Sequence, residues 1–122
     1  MDNPLARHGG LSYLEIPTID PRRSATFYER IFGWQIDQRS ADDFRFADPR
    51  GLFIGRLARG RQPSREPGLL LYIYVDSLEV AVAGVVNHGG DVVEPPRPEG
   101  DVRVAQVRDP GGNLLGLWQF GR

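Results

Sequence analysis

Hydrophobic and polar positions run through the chain in two successive blocks that share one order. The first opens on Leu11-Ser12-Tyr13-Leu14-Glu15-Ile16, a mostly apolar run rich in β-formers, which predicts a strand. Asp20-Pro21 follows: Asp is a good N-cap and Pro suits the first helical position, so a helix is predicted from there. Ala25, Tyr28, Ile31 and Phe32 recur at helical spacing, with Phe27 beside them. Arg22, Arg23, Glu29 and Arg30 take the other side, and Gly33 suits the helix end, where positive φ is wanted. Short strands are predicted over 34–38, 44–47 and 52–57.

The second block repeats the sequence of elements. A strand is predicted over 69–75. Asp76-Ser77-Leu78-Glu79 resembles a capping box, with Asp76 as the cap. Leu78, Ala81, Val82, Val85 and Val86 form a helical stripe, which Gly89-Gly90 ends. Strands are predicted over 91–94, 102–108 and 113–119, with a stiff proline loop from 94 to 100. The two proposed caps and the two terminal glycines each lie 56 residues apart. Asp48-Pro49-Arg50-Gly51 and Asp109-Pro110-Gly111-Gly112 lie 61 apart, as do Gly55 and Gly116 in the strands that follow. Matched turns and matched glycines argue for internal duplication.

Each half is therefore read as β-α-β-β-β, an α+β arrangement. The two tandem modules would form a curved mixed sheet, a half-barrel cup with helices on its outer face. The chain of 122 residues is read as one domain: a first module of about 10–60, a linker of 61–67 containing Pro63 and Pro67, and a second module of about 68–120.

Composition narrows the chemistry. Sixteen acids against 15 bases leave a net charge of −1, so no overall field draws nucleic acid or an acidic membrane. All bases are arginine, which removes lysine Schiff-base chemistry. With no cysteine, thiolate metal sites and disulfides are excluded, and a metal would depend on carboxylates with His8 and His88. His8 precedes the first strand, and His88 falls at the end of the second helix, where the helix dipole favours a cation. Without a membrane-length apolar run or a signal-peptide pattern, and without cysteine, a cytoplasmic protein is expected.

Glu15-Ile16-Pro17 before Asp20-Pro21, Phe27-Tyr28, Phe32-Gly33-Trp34 and Asp109-Pro110-Gly111-Gly112-Asn113 resemble the vicinal oxygen chelate superfamily. That superfamily includes glyoxalase I, extradiol dioxygenases, fosfomycin-resistance transferases and bleomycin-resistance binding proteins. The resemblance implies the paired-module fold and, in many members, a homodimer. It also implies metal ligands on the first and last strand of each module. Here those places read Tyr13, Leu70 (or Leu69), Gly55 and Gly116, none of which suits a divalent cation well. No metal and no other cofactor are expected.

Strand alternation then predicts what the cup contains. With Tyr13 and Leu70 inward, Glu15, Tyr72 and Tyr74 follow; with Gly55 and Gly116 inward, so do Phe53, Leu57, Leu114 and Trp118. The ligand-binding set is Tyr13, Glu15, Phe53, Leu70, Tyr72, Tyr74, Leu114 and Trp118. An aromatic wall suits flat apolar or cationic organic molecules, although the same rings would also serve a dimer interface. Glu15 among rings would be desolvated, with a raised pKa suited to a general base. It would otherwise pair with a cationic ligand, a tyrosine hydroxyl, Arg56 or Arg103. The expected function is metal-independent binding of a small molecule. The alternative is a glyoxalase-like enzyme using a displaced metal or Glu15 as base.

Overall fold

The computed structural model describes residues 3–121 and divides between Gln62 and Pro63 into two compact units. In the first, β1 (Tyr13–Pro17) leads into α1 (Pro21–Phe32), followed by β2 (Gln35–Gln38), β3 (Phe44–Ala47) and β4 (Ile54–Ala58). The second contains β5 (Tyr72–Tyr74), α2 (Leu78–Asn87), β6 (Asp91–Glu99), β7 (Val102–Arg108) and β8 (Leu114–Phe120). Each unit is thus β-α-β-β-β. The strand orders are β1-β4-β3-β2 and β5-β8-β7-β6, with the first strand parallel to the last and the other neighbours antiparallel. Both sheets are open and mixed, with one helix covering one face.

Helix α1 starts where its sequence dictates. The Asp20 carboxylate accepts from the backbone N–H of Arg23 at 3.3 Å, Pro21 fills the first turn, and Gly33 ends the helix at φ 72°. Its inner side buries Ala25, Phe27 and Tyr28, while Tyr28 stacks on Trp34 and Trp34 on Phe46. These rings, with Ile16, Phe44 and Leu57, form the first unit's core. Helix α2 buries Leu78, Ala81 and Val85 against Ala105, Val107, Leu115 and Leu117. Its cap is Ser77, not Asp76: the Ser77 hydroxyl accepts from the Val80 N–H at 3.2 Å. Val86, which the stripe included, is exposed.

Three strand expectations are corrected. The fifth strand is shorter than 69–75, with Leu69 at 93% exposure and Leu70 also ahead of it. The segment with Pro95, Pro96 and Pro98 is not a loop but part of β6. It is an edge strand, where the missing N–H groups can face away from the ladder, and its register with β7 shifts twice between Val92 and Arg97. The expected linker is partly docked, since Ser64 donates to Asn113 Oδ1 at 2.8 Å and accepts from the Leu114 N–H at 2.8 Å.

The third correction concerns the face of β4. The two Asp-Pro turns agree as far as Gly51 and Gly112, whose N–H groups donate to Asp48 and Asp109 carbonyls. They then diverge. The Asp48 N–H closes on the Phe53 carbonyl, whereas the Asp109 N–H closes on that of Asn113, so the first turn holds one extra residue. Asp48 Oδ1 accepts from the Phe53 N–H just as Asp109 Oδ1 accepts from that of Asn113. Phe53 therefore corresponds to Asn113, and Arg56, not Gly55, corresponds to Gly116. One residue flips every side chain of a strand to the other face.

Candidate functional site

Each sheet has a helix-free face, and the pairing register fixes what stands on it. In the second unit the parallel partners Tyr72 with Gly116 and Tyr74 with Trp118 share that face, joined by Phe120, Val104, Gln106 and Leu114. The Tyr72 ring lies over Gly116, so close that a Cβ there would come within 2.5 Å of it. Tyr74 meets Trp118 edge-on at 4.9 Å, Trp118 meets Phe120 at 5.2 Å, and Tyr74 meets Phe120 at 5.9 Å. Tyr72, Tyr74 and Phe120 remain 44%, 45% and 58% exposed. So large an exposed aromatic cluster on a folded sheet makes this face a candidate contact surface.

The helix-free face of the first unit is different. One row across it reads Tyr13, Ile54, Ala47 and Gln35; the next reads Glu15, Arg56, Arg45 and Asp37. A groove of about 300 Å³ lies here, lined by Tyr13, Ile54, Ala47, Asp37, Arg39 and Arg45 among others. Arg56 Nε donates to Glu15 Oε2 at 3.0 Å and Arg61 Nε to Glu15 Oε1 at 2.8 Å. Arg45 grips both oxygens of Asp43, at 2.8 and 3.1 Å.

These placements revise the predicted site. Tyr13, Glu15, Tyr72, Tyr74, Leu114 and Trp118 all stand on helix-free faces. Leu70 is half-buried just ahead of β5. Phe53 is not on such a face: its ring meets Trp34 edge-on at 5.7 Å, within the aromatic core under α1. Leu57 is likewise core, and Gly55 faces the Phe46 ring, because the longer turn puts these residues on the helix side. Of the two readings of Glu15, the structure has the pairing with Arg56 and not the raised pKa. The hydrogen bonds from Arg56 and Arg61 lower its pKa and outweigh the opposing desolvation, so it is a firmly ionised carboxylate rather than a poised base. Arg103 is not its partner but holds Glu79, at 2.6 and 3.2 Å. Phe120 was missed, and the cross-strand pairing of Arg45 with Arg56 was not foreseen. Continuing the alternation two residues past Trp118 gives Phe120; the arginines were hidden by the turn length.

The positions that the resemblance marks for metal ligands do not fit a divalent cation. They carry a phenol at Tyr13, an alkyl chain at Leu70, no side chain at Gly116, and in place of Gly55 the guanidinium of Arg56. Among the described residues, no three His, Cys, Asp or Glu side chains come together in a way that could hold a metal. His88 turns back on its own helix, its Nδ1 2.9 Å from the Gly84 carbonyl oxygen.

Residues 10–117 match the family model described as Glyoxalase/Bleomycin resistance protein/Dioxygenase superfamily. "Putative glyoxylase CFP32" of Mycobacterium tuberculosis is 30% identical over 124 residues, 95% of this chain, and the chain spans about half (48%) of that relative's length. Among solved structures, a glyoxalase/bleomycin resistance protein/dioxygenase family enzyme from Burkholderia phytofirmans is similar with a TM-score of 0.74 at 20% identity, over 92% of this chain and 99% of its own. TnmS3, an antibiotic binding protein from Streptomyces sp. CB03234, is similar with a TM-score of 0.68 at 24% identity, over 93% and 97%. With two β-α-β-β-β units and a family match over nearly its whole length, this chain belongs to the Glyoxalase/Bleomycin resistance protein/Dioxygenase superfamily.

Proposed function

We propose that the protein is a metal-independent small-molecule binding protein that holds a flat apolar or aromatic ligand against Tyr72, Tyr74, Trp118 and Phe120. The observation that carries this reading is the exposed, edge-packed ring cluster on the helix-free face of the second sheet. Rings held edge-on to one another leave faces available for a planar guest, and Gly116, with no Cβ, lets the Tyr72 ring lie down against the sheet. Likeness in fold to an antibiotic binding protein supports the class and leaves the ligand open. Enzymatic use of Glu15 as a base is disfavoured, since its two guanidinium partners keep it charged and occupied.

Fluorescence tests the reading. The chain has two tryptophans, and Trp34 is buried in the first unit's core, so Trp34→Phe leaves Trp118 as the reporter. A panel of planar aromatic compounds is expected to quench Trp118 saturably, with and without a chelator. Tyr72→Ala or Tyr74→Ala should weaken the tightest binder about tenfold, the worth of one lost aromatic contact. No saturable quenching across the panel would overturn the proposal. A homodimer built on the same rings is the competing use of this face. If sedimentation shows a dimer that Tyr72→Arg dissociates, and no compound quenches, that use prevails. A cytoplasmic location belongs to the same reading and is checked by cell fractionation.

A further inference from the structure

The helix-free face of the first sheet carries an arrangement that ion pairing within the protein does not exhaust. Across four strands, Glu15, Arg56, Arg45 and Asp37 stand in one register row, so the two arginines are direct cross-strand partners flanked by acids. Like charges at directly opposite positions destabilise a sheet unless something answers them. The outer acids answer only in part. Glu15 is shared between Arg56 and Arg61, Asp37 is taken by Arg39, and Asp43 by Arg45. Four guanidinium groups thus meet three carboxylates, one positive charge in excess. Arg45 commits Nε and Nη2 to Asp43, and Arg56 commits Nε to Glu15. Among the described residues, Nη1 of Arg45 and both Nη groups of Arg56 make no hydrogen bond within the protein. A guanidinium offers five N–H donors in a planar fork that matches a carboxylate. Beside this row lies the apolar one, with the groove of about 300 Å³ against Tyr13, Ile54 and Ala47.

We infer that this face binds a small aromatic carboxylate, with its ring in the groove against Tyr13 and Ile54 and its carboxylate between Arg45 and Arg56. The excess of one charge fits a monoanion; a dianion would leave the cluster negative. The groove fits a ring system of one or two fused rings. This site is built from the first unit alone and does not depend on the aromatic face of the second.

The test is a titration of the whole ¹⁵N-labelled chain with 1-naphthoate and, separately, with the neutral 1-naphthylmethanol, followed by NMR at arginine Nε–H and tryptophan indole N–H signals. Naphthoate is expected to move the Arg45 and Arg56 signals and to bind about tenfold more tightly than the alcohol, as charge-assisted hydrogen bonds imply. Arg45→Gln and Arg56→Gln should each remove that preference while leaving the weak binding of the alcohol in place. Equal affinities, or arginine signals that stay still, would overturn the inference. The comparison on the unaltered protein decides even where a variant folds poorly. Shifts confined to the Trp118 indole would remove this site and leave the aromatic face of the second sheet standing.

Discussion

At the scale of single residues, two glycines that look equivalent have opposite duties. A Cβ on Gly55 would fall 1.9 Å from the Leu14 carbonyl oxygen and 2.6 Å from the Phe46 ring, backbone on one side and packed core on the other. Gly55→Ala should therefore force β1 and β4 apart and cost about 3 kcal/mol in chemical denaturation, the upper end for overpacking. The nearest atoms to a Cβ on Gly116 belong to the Tyr72 ring, a side chain that is 44% exposed rather than packed in the core. Gly116→Ala should cost about 1 kcal/mol or less but tilt that ring and weaken ligand binding. The reverse order of stabilities would contradict the face assignment of both strands. Glu15 gives a second test at this scale. Its pKa is lowered in the folded protein by its hydrogen bonds to Arg56 and Arg61. A depressed folded pKa means the contribution to stability is complete above the ordinary glutamate value, and is lost as pH falls through the lower, folded midpoint. An NMR titration should place the Glu15 midpoint below that of a model glutamate and move it back towards that value in high salt, which screens exposed pairs. Glu15→Gln should flatten this part of the stability profile, and a Glu15 midpoint above the ordinary value would refute the pairing.

At the scale of elements, the turn into β4 decides which side chains meet the core. Deleting Leu52, 44% exposed and the extra residue of that turn, should convert it to the shorter form seen at Asp109 and change stability by only about 1 kcal/mol. Deleting Arg56 instead would shift Leu57 to the wrong face and cost several-fold more; thermal melts of the two deletions compare them directly. The same turn shows what was legible in the sequence. Helix α1 was readable because Asp20, Pro21 and Gly33 act locally, through one side-chain hydrogen bond and two preset φ angles. The repeat was readable because each unit needs the same order of elements. The face of β4 was not, since a constant spacing of 61 between turns and glycines conceals a turn that gains one residue. Strand β6 was misread because prolines break most strands, yet an edge position needs no donor on its outer side. Tyr72, Tyr74 and Trp118 followed from two-residue alternation counted from the positions that the family resemblance marks, whereas the Arg45–Arg56 neighbourhood exists only through long-range strand pairing.

At the scale of the whole molecule, charge bookkeeping bears on whether a metal can bind. Sixteen acids face 15 arginines and no lysine, so carboxylates that might serve a cation are matched to planar forks instead. Glu15, Asp37, Asp43, Glu79, Glu94 and Glu99 each accept from at least one guanidinium, and Asp109 is enclosed in its turn by the Gly111 and Asn113 N–H groups. A divalent cation entering the helix-free face of the first sheet would have to displace arginine from Glu15, Asp37 or Asp43 and would then sit beside the released positive charge. The strength of such a site can be bounded thermally. An ion present at 100 times its Kd stabilises the folded state by about 2.7 kcal/mol, which for a chain of this length raises Tm by about 10 °C. Nickel, zinc, manganese or iron(II) at millimolar concentration should therefore leave Tm within a degree or two, and removing trace metal with a chelator should not alter quenching of Trp118 by its ligand. A rise approaching that bound with any one of them, abolished by Glu15→Gln, would mean that the arginine partners of Glu15 yield to metal.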